Sequence, residues 1–191
     1  YEYINFTGKH VSIGTIPSIK DRTITVNGFA KGYAMTGWRL GYIGAPTVIA
    51  EACAKIQGQF TSGANAFAQK AATHALEADM SPTHAMRDAF EKRRQVIIDG
   101  LEGIPGMKVN RPQGAFYIFP DVTSYYGKKS GDFEINSDDD VCEYLLQKAY
   151  VATVSGGAFG TPGCIRISYA ASEETLKEAI ERIKDALALL A

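Results

Sequence analysis

Lys31 and Arg39 lie in a segment otherwise rich in glycine, aromatic and small apolar residues, VNGFAKGYAMTGWRLGYIGAP at 26–46. A strand is expected to end near Val26, and a lysine just past a strand end sits where α/β folds build their sites. The bulky neighbours Phe29, Tyr33, Met35 and Trp38 disfavour the charged ammonium form. An amine freed of its proton is a nucleophile for carbonyl carbon and forms Schiff bases. Arg39 is a permanent cation whose planar fork can hold a phosphate with two hydrogen bonds. Arg166, between Ile165 and Ile167 in a strand-like run, could offer a carboxylate the same rigid, two-pronged recognition. Each also has a plainer reading: Lys31 as a solvated turn lysine, Arg39 as a surface arginine, and Arg166 as a strand arginine turned to solvent or to an acidic neighbour.

Short strands and amphipathic helices must position these groups. Residues 23–26 (TITV) and 40–43 read as buried strands, and 46–57 and 65–79 as alanine-rich helices. Residues 58–65 (GQFTSGAN) and 121–137 read as loops. Between these loops a long helix is predicted, with Ser81 as N-cap and Pro82 in its first turn, ended by Gly103, Pro105 and Gly106. Residues 115–119 (AFYIF), 151–154 and 165–169 read as strands. Ser137 is predicted to cap a helix whose first turn carries Asp138, Asp139 and Asp140, and Ser172 to cap a last helix that begins with Glu173 and Glu174. Helices and strands alternate throughout, so the fold class is α/β or α+β. The long helix reads as a bridge between two packed units.

Composition narrows the partners. The 191 residues are 46% hydrophobic and 21% charged, a globular composition. Twenty basic and 21 acidic side chains give a net charge of −1, which offers no reason to expect nucleic acid or an anionic membrane. No apolar run is long enough for a membrane helix, and the first ten residues lack the pattern of a signal peptide. Cys53, Cys142 and Cys164 are widely spaced with no CxxC, so a disulfide framework or zinc site is not expected and a reducing cytoplasm is. His10, His74 and His84 are scattered too widely for a ligand set, so no metal is expected.

The string NGFAKGYAMTGWRLGY at 27–42 closely resembles the lysine motif of class I aminotransferases, which are fold type I pyridoxal-phosphate enzymes. The likeness continues in RPQGAFYIFPD at 111–121, similar to the strand that opens the family's small domain, and in GGAFGTPGCIRISYAASEETLKEAIERI at 156–183, similar to its closing segment. The resemblance implies that Lys31 binds pyridoxal phosphate covalently, that Arg39 contacts the cofactor phosphate, and that Arg166 pairs with the substrate α-carboxylate. Tyr1, with Glu2 and Tyr3, resembles the tail of a D-x-x-Y motif whose tyrosine bonds the ring oxygen of the cofactor; the aspartate would lie three residues before Tyr1. Thr61, Ser62 and Asn65 fall where the family sends residues across a dimer interface. The pattern departs at Ala30 and Gly28, where many members carry a hydroxyl that helps bind the cofactor.

The resemblance further implies the C-terminal half of such an enzyme: residues 1–80 as the end of the large cofactor domain, and 81–191 as the bridging helix and small α+β domain. The implied activity is transfer of an amino group from an amino acid, aspartate first, to a 2-oxo acid, in a cytoplasmic homodimer. Two other readings share these residues: a lyase or synthase of the same fold, and a cofactor-sensing domain of a transcription regulator.

Overall fold

The computed structural model describes residues 1–191. The chain divides into two compact units, Tyr1–Met86 and Arg87–Ala191. In the first, two 3-10 turns, Ile13–Thr15 and Pro17–Arg22, precede the first strand. The Ser12 hydroxyl accepts the Gly14 N–H at 3.2 Å, which satisfies a donor that the short turn leaves open.

The two strands expected at 23–26 and 40–43 form slightly further along, as β1, Thr25–Gly28, and β2, Gly41–Gly44. They pair antiparallel, with Thr25 opposite Gly44 and Gly28 opposite Gly41. Glycine permits the close approach at the loop end: a β-carbon on Gly41 would stand 3.0 Å from the Asn27 carbonyl oxygen. The expected burial is not met. This sheet has two strands and no third neighbour, and Val26 is 75% exposed.

Helix α1, Thr47–Phe60, extends into the segment predicted as a loop, and α2 spans Ala66–Glu77. The Asn65 side chain caps α2 by accepting the Ala68 N–H at 3.1 Å. Phe29, Met35 and Ala72 form a small core, with Tyr33, Leu40 and Ala71 packed on it. No residue of α1 is buried, and Phe60 and Phe67 are 85% and 83% exposed.

Helix α3, Ser81–Glu102, starts one residue earlier than predicted, so Ser81 is its first residue and not its cap. Asp79 accepts the Ser81 N–H at 3.1 Å instead. Hydrogen bonds from the Ser81 side chain and N–H hold the Asp79 carboxyl below its ordinary range.

In the second unit the predicted strand at 115–119 shortens to β3, Tyr117–Ile118. Ala115 adopts a left-handed φ of 63°, and the Phe119 N–H leaves the ladder for the Asn110 side chain at 2.8 Å. The expected loop at 121–137 holds a small hairpin, β4, Lys129–Ser130, and β5, Phe133–Glu134. Helix α4, Asp138–Tyr144, is capped by the Ser137 hydroxyl, as expected, and widens into one π-turn at Leu145–Ala149. Strand β6, Val154–Ser155, and β7, Ile165–Ser168, follow, and the capped helix α5, Glu173–Ala188, ends the unit.

β7 is the middle strand of an antiparallel sheet ordered β3–β7–β6. Its alternation is the sheet period made visible: Ile165 and Ile167 are buried, and Arg166 between them faces the other side. Leu101, Ile118, Ile135, Tyr144 and Ile183 are fully buried in the core beneath.

Candidate functional site

The lysine segment is the connection between β1 and β2. It is closed by the Phe29 N–H on the Leu40 carbonyl at 3.2 Å, and inside it the Met35 N–H bonds the Phe29 carbonyl at 3.3 Å. Phe29 and Met35 therefore turn into the core. Lys31 does not follow them: it is exposed, at the start of a turn in which its carbonyl accepts the Ala34 N–H at 3.1 Å. The apolar neighbours expected to surround it are spent on the core or, like Trp38, exposed themselves.

Ala34 and Arg39 both adopt left-handed φ, 53° and 52°. These two bends return the chain to β2. Arg39 donates Nη1 to the Thr36 carbonyl at 2.9 Å, which ties one arm of its guanidinium to the loop; the fork has further N–H donors beyond this one. Arg39 also lines a cleft of about 680 Å³ with Trp38, Gly63, Asn65 and Ala68. Asn65 spends its side-chain oxygen on the α2 cap, Thr61 donates its hydroxyl to the Gln57 carbonyl at 3.3 Å, and Ser62 has φ 60°.

The first residues pack against this loop. Glu2 accepts the Asn27 side-chain N–H at 2.7 Å. The Tyr33 hydroxyl donates to the Tyr3 hydroxyl at 3.4 Å, and the two rings meet edge to face at 5.6 Å. The Tyr33 hydrogen bond, burial and the Glu2 carboxylate push the Tyr3 phenol well above its ordinary range. A β-carbon on Gly32 would lie 2.6 Å from the Tyr3 ring, so the residue after Lys31 must be glycine for Tyr3 to seat. Tyr1 is exposed, and its carbonyl accepts the Ile4 N–H at 3.0 Å. In the sequence Tyr3 stands only as part of the motif tail, with no role of its own; the small residue beside the lysine is the local sign of its seat.

Arg166 belongs to the second unit. Its guanidinium lies over two rings, 4.6 Å from the Tyr117 centroid and 4.5 Å from that of Phe159. No carboxylate of its unit is within ion-pair distance, so the reading as a partner of an acidic neighbour is not met. A ring offers its π face to the guanidinium and no lone pair to its N–H groups, which keep their capacity for an anion. Such a group matches a planar anion.

Also in the second unit is Asp138, one of two buried polar residues, at 5% exposure. It accepts the Gly157 N–H at 2.8 Å, the Gly163 N–H at 3.2 Å and the Tyr126 hydroxyl at 3.3 Å. Burial alone would raise its pKa; the hydrogen bonds from the Gly157, Gly163 and Asp138 amides and the Tyr126 hydroxyl together outweigh it and hold the carboxyl below its ordinary range.

A model of the family "Aminotransferase class I and II" matches residues 3–183. The chain belongs to this family. The bifunctional aspartate aminotransferase and glutamate/aspartate-prephenate aminotransferase of Petunia hybrida is 50% identical over 192 residues, which cover 98% of this chain and 40% of that protein. A probable aspartate/prephenate aminotransferase of Aquifex aeolicus is 46% identical over 98% of this chain and 47% of its own length. The crystal structure of the aspartate aminotransferase from Rhizobium meliloti superposes with a TM-score of 0.95 at 41% identity, covering 100% of this chain and 48% of that one. The chain thus spans about half the length of the aminotransferases it matches. Its fold is the mixed α/β fold of the fold type I aminotransferases.

Aminotransferases of this family in general work with pyridoxal phosphate. The residues here fit that group in kind: an exposed primary amine for its aldehyde and a guanidinium for its phosphate, carried on one closed loop.

Proposed function

We propose that the chain is the C-terminal half of a pyridoxal-phosphate-dependent aminotransferase that moves an amino group from an amino acid, aspartate first, to a 2-oxo acid. The observation that carries this reading is the β1–β2 loop, which presents Lys31 and Arg39 together while Phe29 and Met35 anchor it in the core. In this reading residues 1–80 complete a large cofactor domain, and 81–191 are the bridging helix and small domain. The relatives named for aspartate support the substrate class.

The roles follow from the side chains. Lys31 holds the cofactor through its amine, and Arg39 and Tyr1 fix the phosphate and the ring oxygen. Arg166 holds the substrate carboxylate in the plane of its guanidinium, which sets the direction of the bond to be broken at the α-carbon. The bound cofactor supplies the electron sink for that carbon. Lys31, once its amine is free, takes the α-proton and returns it as general base and acid. The protein works as a cytoplasmic homodimer, with Thr61, Ser62 and Asn65 at the interface.

The test is borohydride reduction of the whole gene product containing this chain, after incubation with pyridoxal phosphate, followed by peptide mapping. A pyridoxyl group on Lys31, with amino transfer from aspartate to a 2-oxo acid lost in Lys31→Ala, is the expected result. No adduct on Lys31 overturns the cofactor assignment. An adduct on Lys31 without amino transfer overturns the reaction and favours a lyase, synthase or sensor.

A further inference from the structure

Phe159 reaches Arg166 from a loop that is unusually well tied. The Gly156 N–H bonds the Cys164 carbonyl at 2.7 Å, and the Thr161 N–H bonds the Gly156 carbonyl at 3.0 Å. Gly160 and Gly163 adopt φ of 75° and 91°, which only glycine holds without strain. Across the two ends of this loop stands Asp138, with one carboxylate oxygen on the Gly157 amide and the other on the Gly163 amide. A buried carboxylate held by two amides is rigid, because either bond lost leaves a buried charge short of a partner.

We propose that Phe159 and Asp138 are positioning residues for Arg166: Asp138 fixes the loop, and the loop holds the Phe159 ring against the guanidinium so that its edge is ready for a carboxylate. The proposal rests on the assignment of Arg166 to the substrate carboxylate. The physical argument is entropy and geometry. An arginine side chain has many rotamers, and binding an anion must select one. Tyr117 on β3 and Phe159 on the loop both hold the guanidinium at cation–π distance, 4.6 and 4.5 Å, and the pairing of Arg166 with Val154 fixes its backbone. A ring face provides no carboxylate-like acceptor, so the N–H groups keep their capacity for the anion. Neither Phe159 nor Asp138 touches the substrate in this scheme; both act through Arg166.

The experiment is isothermal titration of the whole gene product, loaded with cofactor, with the small dicarboxylate maleate. Four variants are compared: Arg166→Ala, Phe159→Leu, Phe159→Tyr and Asp138→Asn. Phe159→Leu keeps the apolar bulk and removes the ring face; it is expected to weaken maleate about five- to tenfold. Phe159→Tyr restores the face and is expected within about twofold of the parent. Asp138→Asn turns one acceptor into an N–H that faces a glycine N–H, and is expected to weaken maleate about threefold or more. The KM for the amino acid should rise in parallel while kcat stays nearly constant. A variant that merely misfolds lowers the binding stoichiometry and kcat and leaves the affinity of the remaining molecules unchanged, and Phe159, 48% exposed, can be replaced without disturbing the core. Parent-like affinity in Phe159→Leu or in Asp138→Asn, with maleate binding lost in Arg166→Ala, overturns this proposal and leaves the role of Arg166 standing. Parent-like affinity in Arg166→Ala overturns the role of Arg166, and the proposal with it.

Discussion

Ile180 of α5 stands so close to Gly100 of α3 that a β-carbon on the glycine would lie 2.6 Å from its Cδ1 and 2.8 Å from its Cγ2. At an open helical site glycine to alanine gains about 1 kcal/mol. Here the sign reverses: Gly100→Ala is expected to destabilise the protein by about 1–3 kcal/mol through overpacking. Urea unfolding of Gly100→Ala, Ile180→Ala and the double variant checks it. The pair must couple, with the double variant more stable than the sum of the two losses.

Gly156 meets a harder obstacle. A β-carbon there would run into the Thr161 carbonyl oxygen and stand 2.7 Å from that of Cys164. Both are backbone atoms: the Cys164 oxygen accepts the Gly156 N–H, and Thr161 is tied through its own N–H to the Gly156 carbonyl. Gly156→Ala is expected to cost about 3 kcal/mol or more, because no side chain can move aside. A shift in the urea midpoint reads this directly.

Asp138 makes stability depend on acid. Its folded pKa lies below its ordinary value of 3.8. The contribution is therefore complete above the unfolded pKa and is lost as pH falls through the lower folded one. Thermal melts between about pH 5 and 2 should show Tm falling in the parent and falling less in Asp138→Asn. Equal slopes in the two proteins would contradict the burial and bonding of this carboxylate.

The Tyr144 hydroxyl donates to the Ala186 carbonyl at 2.8 Å with the ring fully buried. That carbonyl belongs to the last turn of α5 and also accepts the Leu189 N–H at 3.2 Å, so the hydroxyl is its second donor. Tyr144→Phe should cost about 1–2 kcal/mol, seen as a lower urea midpoint with an unchanged slope.

Much of this was legible in the sequence, and where it was, the signal was local. Ser137 and Ser172 cap the helices they precede, because a hydroxyl followed by an acidic first turn is a self-contained instruction. The family of the lysine segment was legible for the same reason, since one unbroken string carries it. The misses came from chemistry that local pattern does not record. Ser81 looks like a cap, but the charged Asp79 accepts the N–H of Ser81 itself, and Ser81 becomes the first helical residue. The run at 115–119 has strand composition, yet Ala115 bends left-handed and Asn110 draws off the Phe119 amide. The seating of Tyr3 on Gly32 and the staple from Asp138 to Gly163 join residues far apart in the chain. No periodicity announces such pairs.

The uneven burial of the two units has a consequence in time. Amides of β7 and α5, over a core with Ile165 and Ile183 wholly hidden, should exchange with deuterium only when the unit opens as a whole. Those of α1, which buries no residue, should exchange through small local openings at little cost in free energy. In this chain taken alone, the same openings are where a protease would make its first cut, and the bare Phe60 and Phe67 are where molecules would first adhere to one another.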